Sequence, residues 1–106
     1  MSPIPRAVRA ILDANPWMHR CCRKDGYCSG RVTWEHSLKW QGRQLQTWWA
    51  IIPLCEFHHL GKGLDKRWNE WVALSRAPAG ELAKYRGSGW EQKLSWLEKT
   101  YGKWRP

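Results

Sequence analysis

The spacing of apolar residues changes along the chain, and this change predicts a mixed α+β structure. In residues 5–15, Val8, Ile11 and Leu12 recur at helical intervals, and an Asn-Pro pair then gives a typical helix stop. The periodicity is lost over residues 17–30, where a tight-turn Asp-Gly pair lies between cysteines. We therefore expect a short helix followed by a loop.

Two stretches predict an antiparallel pair of strands. Residues 31–36 alternate β-branched or aromatic side chains with polar ones, which favours a strand. Residues 48–52, Trp-Trp-Ala-Ile-Ile, form a second apolar strand that we expect Pro53 to stop. The polar and basic segment 37–47 is predicted to connect the two strands as a loop.

Helical spacing returns within residues 57–76. Apolar and small residues lie on one predicted face at steps of three and four: Leu60, Leu64, Trp68, Trp71, Val72 and Ser75. Gly61 and Gly63 each weaken a helix by roughly 1 kcal/mol relative to Ala. We expect the helix to break there or to begin late, near Leu64.

A last helix is predicted after the connector 77–80 and a segment, 81–86, that is at most a short helix. Ser88-Gly-Trp-Glu91 has capping-box spacing. Apolar residues then share one face, and Gly102 is placed to cap the helix. The residues of that face are Trp90, Leu94, Leu97 and Tyr101.

The composition indicates one small domain with a limited core. The chain has 106 residues, ten Trp and one Phe, so tryptophan must supply much of the buried area. Within this single domain, residues 1–106, we place the core at 21–76 and a C-terminal helical extension at 77–106. The tryptophans expected in the core are Trp34, Trp49, Trp68, Trp71 and Trp96. A metal ion would help to stabilise a chain of this size.

The charge balance favours a polyanionic partner. Lys and Arg number 18 against 9 Asp and Glu, which gives a formal net charge of +9. An excess of this size on a small domain is typical of nucleic-acid binding, the alternative being a basic protein without such a partner. No secretory signal or membrane-spanning run is visible, so we expect a cytoplasmic protein with no membrane partner. In a reducing compartment its four cysteines are better explained as ligands or buried thiols than as disulfides.

Cysteine and histidine spacing predicts a structural zinc site. Cys55-x-x-His58 lets two side chains reach one ion, and Cys28 adds a third ligand. Either Cys21 or Cys22 supplies the fourth ligand. We prefer Cys22 because the loop between it and Cys28 is the shorter one. The alternative for Cys55 is a buried apolar thiol beside the Pro-Leu pair before it.

One run of the chain resembles the HNH nucleases of the ββα-metal superfamily. It comprises Trp34-Glu35-His36, then Ile-Ile-Pro-Leu-Cys at 51–55, Glu-Phe-His-His at 56–59, and Lys62. The resemblance covers residues 21–62, which is 42 of the 106 residues. The zinc-bearing variant is similar to small phage or prophage HNH proteins and phage junction resolvases. The resemblance implies a ββα-metal core, which consists of an antiparallel β-hairpin and a helix. A zinc ion would stabilise this core, and N- and C-terminal helices would flank it.

The resemblance also implies an activity, that of a metal-dependent DNA endonuclease. His36 matches the general base that takes a proton from the attacking water. Glu35 and His59 match the ligands of a catalytic Mg²⁺ or Mn²⁺ ion, and His58 stands where the family commonly has its fourth zinc cysteine. Lys62 matches a trailing lysine that contacts phosphate. An imidazole can deprotonate water near neutral pH, and a divalent ion held by few protein ligands stabilises the developing oxyanion.

Two features depart from the family pattern. Ala50 stands where many members have an Asn that braces the loop between the strands. Either a Trp or Gln of the loop replaces that role, or the activity is lower. The glycines after His59 leave open whether this histidine lies on a regular helical turn.

Basic and aromatic residues around the proposed site are candidates for contact with DNA. They are Arg31, Lys39, Trp40, Arg43, Lys62, Lys66 and Arg67. Trp40 is the candidate for base stacking, because it lies in the polar loop near His36. The alternative function is a non-catalytic zinc-stabilised DNA-binding or adaptor module in a phage recombination or packaging assembly. Resolution of a DNA junction would require a homodimer, for which the Trp-rich C-terminal helices offer an interface.

Overall fold

The computed structural model describes residues 3–23, 26–60 and 66–102, and within these ranges the fold is α+β. The helices are α1 (Arg6–Asp13), α2 (Glu56–Leu60), α3 (Lys66–Arg76) and α4 (Trp90–Tyr101). The strands are β1 (Val32–His36), β2 (Lys39–Trp40), β3 (Arg43–Gln44) and β4 (Ile51–Cys55). They form two separate antiparallel pairs, β1 with β4 and β2 with β3. Short 3-10 turns lie at Pro16–His19, Trp48–Ala50 and Leu82–Lys84.

The pair β1–β4 is the predicted antiparallel pair, but its second strand runs later than expected. His36 pairs with Ile51, so residues 48–50 lie beyond the end of β1 and form a 3-10 turn instead. Pro53 lies inside β4 opposite Trp34, and the prediction that it stops the strand is wrong.

Pro53 fits inside β4 because its ring nitrogen faces away from β1. The carbonyl oxygen of Pro53 accepts a hydrogen bond from the backbone N–H of Cys22 at 3.0 Å. In an antiparallel strand the nitrogen and oxygen of one residue point to the same side, so the missing N–H belongs to this outer edge. The β1–β4 ladder therefore loses no hydrogen bond to the proline.

The segment 37–47, predicted to be a loop, contains a small hairpin. Gln41 and Gly42 have φ angles of +55° and +79° and connect β2 to β3. Two adjacent residues with positive φ are typical of the type I′ turn, whose twist suits a two-residue hairpin connection. The turn sets Trp40 opposite Arg43, and the backbone N–H of Leu45 then donates to the Leu38 oxygen at 2.9 Å.

The main core lies where β4, α3 and α4 meet. Trp49, Trp71 and Leu97 are fully buried there, and Trp68 and Trp90 are nearly so. The predicted face of α4 is therefore confirmed. That of α3 is confirmed for Trp68, Trp71 and Val72 but wrong for Ser75, which is exposed. A smaller cluster on the other side of β4 contains Leu12, Met18 and Ile51.

Two of the tryptophans assigned to the core behave differently. Trp34 is half-buried against the smaller cluster, and its indole N–H donates to the Met18 oxygen at 2.8 Å. Trp96 is 51% exposed, so its assignment to the core is wrong. It precedes the buried Leu97 on α4 and faces solvent, with the Arg67 guanidinium 5.7 Å from its ring centre.

The predicted helix at 57–76 appears as two described segments, α2 and α3. Gly61, Gly63 and Leu64, where the break was expected, lie outside the described residues. None of the helices in the described part of the chain is long and apolar enough to cross a membrane.

Neighbouring substitutions on α4 test the burial pattern. We expect Leu97→Ala to lower the free energy of unfolding by about 2–5 kcal/mol, because it opens a cavity in the core. Trp96→Ala removes a larger side chain but should cost less than about 1 kcal/mol, because that residue faces solvent. Urea unfolding of both variants measures the difference, and an equal loss would contradict the described face of α4.

Candidate metal centre and adjoining groove

Three cysteines and one histidine from separate parts of the chain meet at one point. They are Cys21, Cys28, Cys55 and His58, whose ligand atoms all lie within 4.8 Å of one another. The Nδ1 atom of the histidine lies 3.1–3.7 Å from the three sulfur atoms. Ligands of a tetrahedral zinc ion are about 3.5–3.8 Å apart when its bonds are about 2.0–2.3 Å long. This Cys3His group is therefore near enough to hold a zinc-type ion.

The corner between β4 and α2 supplies two of these ligands. Cys55 ends β4, and His58 lies in the five-residue helix α2. Burial raises the pKa of the Cys55 thiol, but hydrogen bonds from the backbone N–H groups of His58 and Ser29 outweigh it and hold the pKa at about 7. The corner thus favours the thiolate, which is the form that binds a metal.

The loop that carries Cys28 is held closely against the same corner. The backbone N–H of Phe57 donates to the Ser29 oxygen at 3.3 Å. Gly30 follows with a φ of +80°, and a Cβ atom there would lie 2.7 Å from Oε2 and 2.8 Å from Cβ of Glu56. Glycine is needed at this position for both reasons, the backbone angle and the space.

Of the two alternatives for the fourth ligand, the structure brings Cys21 into the group, and the preference for Cys22 is wrong. Loop length does not decide which thiol faces the other ligands. The Cys22 backbone is paired with Pro53, and its side chain is buried in the main core. Burial, followed by the neighbouring Cys21 thiol, raises the pKa of Cys22 to about 12. Burial and the neighbouring thiols raise the pKa of Cys28 to about 12 as well, so position rather than pKa separates Cys22 from the ligands.

Glu35 on β1 is held by two side chains of α3. Lys66 Nζ donates to Glu35 Oε1 at 3.0 Å, and Asn69 Nδ2 donates to Oε2 at 2.7 Å. The glutamate side chain is 14% exposed, whereas the lysine side chain is 59% exposed. The carboxylate is therefore held near the surface with an exposed cation beside it.

His59 faces Glu35 in a defined orientation. The Thr33 hydroxyl donates to the Leu54 oxygen at 2.9 Å, so its oxygen accepts from His59 Nδ1 at 2.6 Å. The proton of the neutral ring then lies on Nδ1, and Nε2 presents a lone pair 3.9 Å from Glu35 Oε1. An imidazole nitrogen and a carboxylate oxygen placed in this way can bind one divalent ion.

His36 and Glu35 line the same open groove, whose volume is about 340 Å³. The groove is also lined by Ser37, Lys39, Lys66, Asn69, Glu70, Trp90 and Lys93. His36 Nε2 lies 2.8 Å from Gln46 Oε1. Helices α3 and α4, outside the stretch that carries the family resemblance, thus supply one wall of the groove.

The basic residues predicted around the site occupy different positions. Lys39 and Lys66 line the groove, whereas the remaining described ones are exposed elsewhere. Arg31 pairs with Glu56 at 3.4 Å, and Arg43 lies on the hairpin strand β3. Lys62 lies outside the described residues.

Trp40 packs against the core rather than standing free in the loop. Its ring is half-buried and meets Tyr85 edge to face at a centroid distance of 5.1 Å. Much of the ring surface proposed for base stacking is therefore already in contact with the protein.

Sequence reasoning missed two side chains that hold candidate site residues in place, Thr33 and Asn69. It expected a Trp or Gln of the loop to act as a brace but did not identify Gln46. Asn69 left a signal, because it is a polar residue within the otherwise buried, mostly apolar segment of α3. Its Oδ1 atom is buried and has no hydrogen-bond partner among the described residues, a cost that favours a role beyond packing. The partnerships of Thr33 and Gln46 depend on strand register, which the sequence pattern did not give.

No protein-family model matches the chain, and searches of curated proteins and of solved structures likewise find no match.

Metal content separates the two neighbouring cysteines. We expect the purified protein to bind one zinc ion per chain and Cys21→Ser to lose it, because a ligand of the Cys3His group is removed. Cys22→Ser is the matched control and should keep the zinc. Elemental analysis after exposure to a weak chelator makes the comparison. Zinc loss from the Cys22 variant alone would contradict the ligand set.

Proposed function

We propose that the chain is a metal-dependent DNA endonuclease of the HNH type, built on a zinc-stapled ββα-metal core. The observation that carries the proposal is the position of Glu35. His59 Nε2 lies 3.9 Å from the Glu35 carboxylate, and His36 lines the same groove as Glu35. A metal ligand pair next to a base is what phosphodiester hydrolysis requires.

Glu35 and His59 would hold the catalytic Mg²⁺ or Mn²⁺ ion. When bound, that ion supplies Lewis-acid stabilisation of the charge that develops on the phosphate. Asn69 keeps the carboxylate aimed into the site, and the Thr33 hydroxyl keeps the Nε2 lone pair of His59 available. Lys66 competes for Glu35, but its exposed side chain is free to turn towards a phosphate oxygen instead.

His36 takes the proton of the attacking water. It lies next to Glu35 in the chain and lines the same groove, so a water activated there would be close to the bound phosphate. Acid–base assistance of this kind contributes about 10²–10⁴-fold to a rate.

The charge of the groove suits a nucleic-acid backbone. Lys39, Lys66 and Lys93 line it against Glu35 and Glu70, which leaves an excess of one positive charge, and the chain as a whole carries a formal charge of +9. Lys93 also pairs with Glu70 at 2.5 Å, which holds it at the wall contributed by α4. Contacts of lysine with phosphate release counterions, so binding should weaken steeply as salt rises.

One observation favours the alternative, a non-catalytic zinc-stabilised DNA-binding or adaptor module. Both oxygens of Glu35 already accept hydrogen bonds from α3, from Lys66 and from Asn69. The carboxylate is thereby satisfied without a metal ion. In such a module His36 and His59 would contribute only to packing, whereas His58 would still hold the zinc ion.

Nicking of supercoiled plasmid tests the proposal. We expect zinc-loaded wild type to nick in Mg²⁺ or Mn²⁺, and His36→Ala to lower the rate about 10²–10⁴-fold while binding DNA as well as wild type. His19→Ala is the matched control, because that exposed histidine hydrogen-bonds to the Asp13 oxygen and does not line the groove. Equal binding by all three proteins without cleavage of plasmid or junction substrates would instead support the adaptor function.

A further inference from the structure

The imidazole of His36 is held by a side chain from the connection between β1 and β4. Gln46 Oε1 lies 2.8 Å from His36 Nε2, and both side chains are half-buried. In the described part of the chain, Gln46 is the hydrogen-bond partner of this ring. The contact joins the proposed base to a residue ten positions later in the sequence.

The β2–β3 hairpin brings these two residues together. Its two-residue turn at Gln41-Gly42 sets Lys39 opposite Gln44, and the ladder continues from Leu45 to Leu38. Gln46 follows Leu45 just beyond β3 and therefore arrives beside the end of β1. The hairpin register, fixed by the turn, thus determines which loop residue reaches His36.

The chemistry of the contact decides where the ring proton lies. An amide carbonyl oxygen only accepts hydrogen bonds, so the bond to Gln46 Oε1 requires a hydrogen on Nε2. A neutral imidazole carries one ring hydrogen, which leaves Nδ1 of His36 with its lone pair.

We propose that Gln46 is a positioning residue that fixes His36 in the Nε2–H tautomer, so that Nδ1 is the atom that accepts the proton of the attacking water. The role of Nδ1 rests on the proposed nuclease function, whereas the tautomer does not. Without Gln46, the ring is free to rotate and to carry its hydrogen on either nitrogen. Only part of the population would then present a lone pair to the water.

Ring ¹⁵N NMR of the zinc-loaded 106-residue chain reads the tautomer directly. For wild type we expect neutral His36 to carry its hydrogen on Nε2. Gln46→Leu keeps a similar volume but removes the acceptor, and should yield a mixture of tautomers or the Nδ1–H form. Gln46→Glu retains an acceptor and should restore the Nε2–H form.

Gln44→Leu is the matched control on the same hairpin. The Gln44 side-chain carbonyl is buried and has no hydrogen-bond partner in the described ranges. This variant should keep both the tautomer of His36 and the wild-type cleavage rate. Gln46→Leu should lower kcat about tenfold or more with little change in KM, because substrate binding does not involve the tautomer.

The outcomes separate this inference from the nuclease proposal. An Nδ1–H tautomer in wild type, or a tautomer unchanged in Gln46→Leu, would overturn the role of Gln46 whether or not the protein cleaves DNA. Full cleavage activity in Gln46→Leu would overturn it as well. If the tautomer responds as expected but wild type does not cleave, the positioning by Gln46 stands and the nuclease proposal fails.

Discussion

The Cys3His group joins the parts of the chain on which the candidate site depends. Cys21 and Cys28 come from the segment before β1, whereas Cys55 and His58 come from the corner between β4 and α2. An ion held by all four would therefore connect the segment before β1 to the end of β4. In a chain with so small a core, metal binding of this kind contributes to folding itself.

The metal group and the pair Glu35–His59 share the helix α2. His58 turns its Nδ1 towards the thiols, and the next residue, His59, turns towards Glu35 on β1. Successive side chains on a helix point about 100° apart, so one short helix can serve two sites. The Thr33 hydroxyl links His59 to the strand that ends in Cys55, since it hydrogen-bonds both to His59 and to the backbone of β4. Loss of the structural ion should therefore disturb the geometry of the groove as well.

Local spacing predicted the parts of the fold and site that depend on neighbours in sequence. Cys55 and His58 stand three residues apart at a strand–helix corner, and Glu35 lies on the predicted strand. What failed or was missed depends on tertiary register. Pro53 is accommodated because its nitrogen faces the outer edge of β4, and Gln46 and Asn69 reach the site only through the hairpin and the packing of α3.

A divalent ion between Glu35 and His59, separate from the zinc site, is the central expectation, and Mn²⁺ binding to the zinc-loaded protein tests it most directly. Wild type should bind one Mn²⁺ ion whose paramagnetism broadens the NMR signals of His59 and Glu35. Glu35→Gln should bind it about tenfold more weakly or worse, whereas Glu91→Gln, an exposed control on α4, should bind as wild type does. Binding that is equal in all three proteins, or absent at millimolar Mn²⁺, would contradict the proposed site.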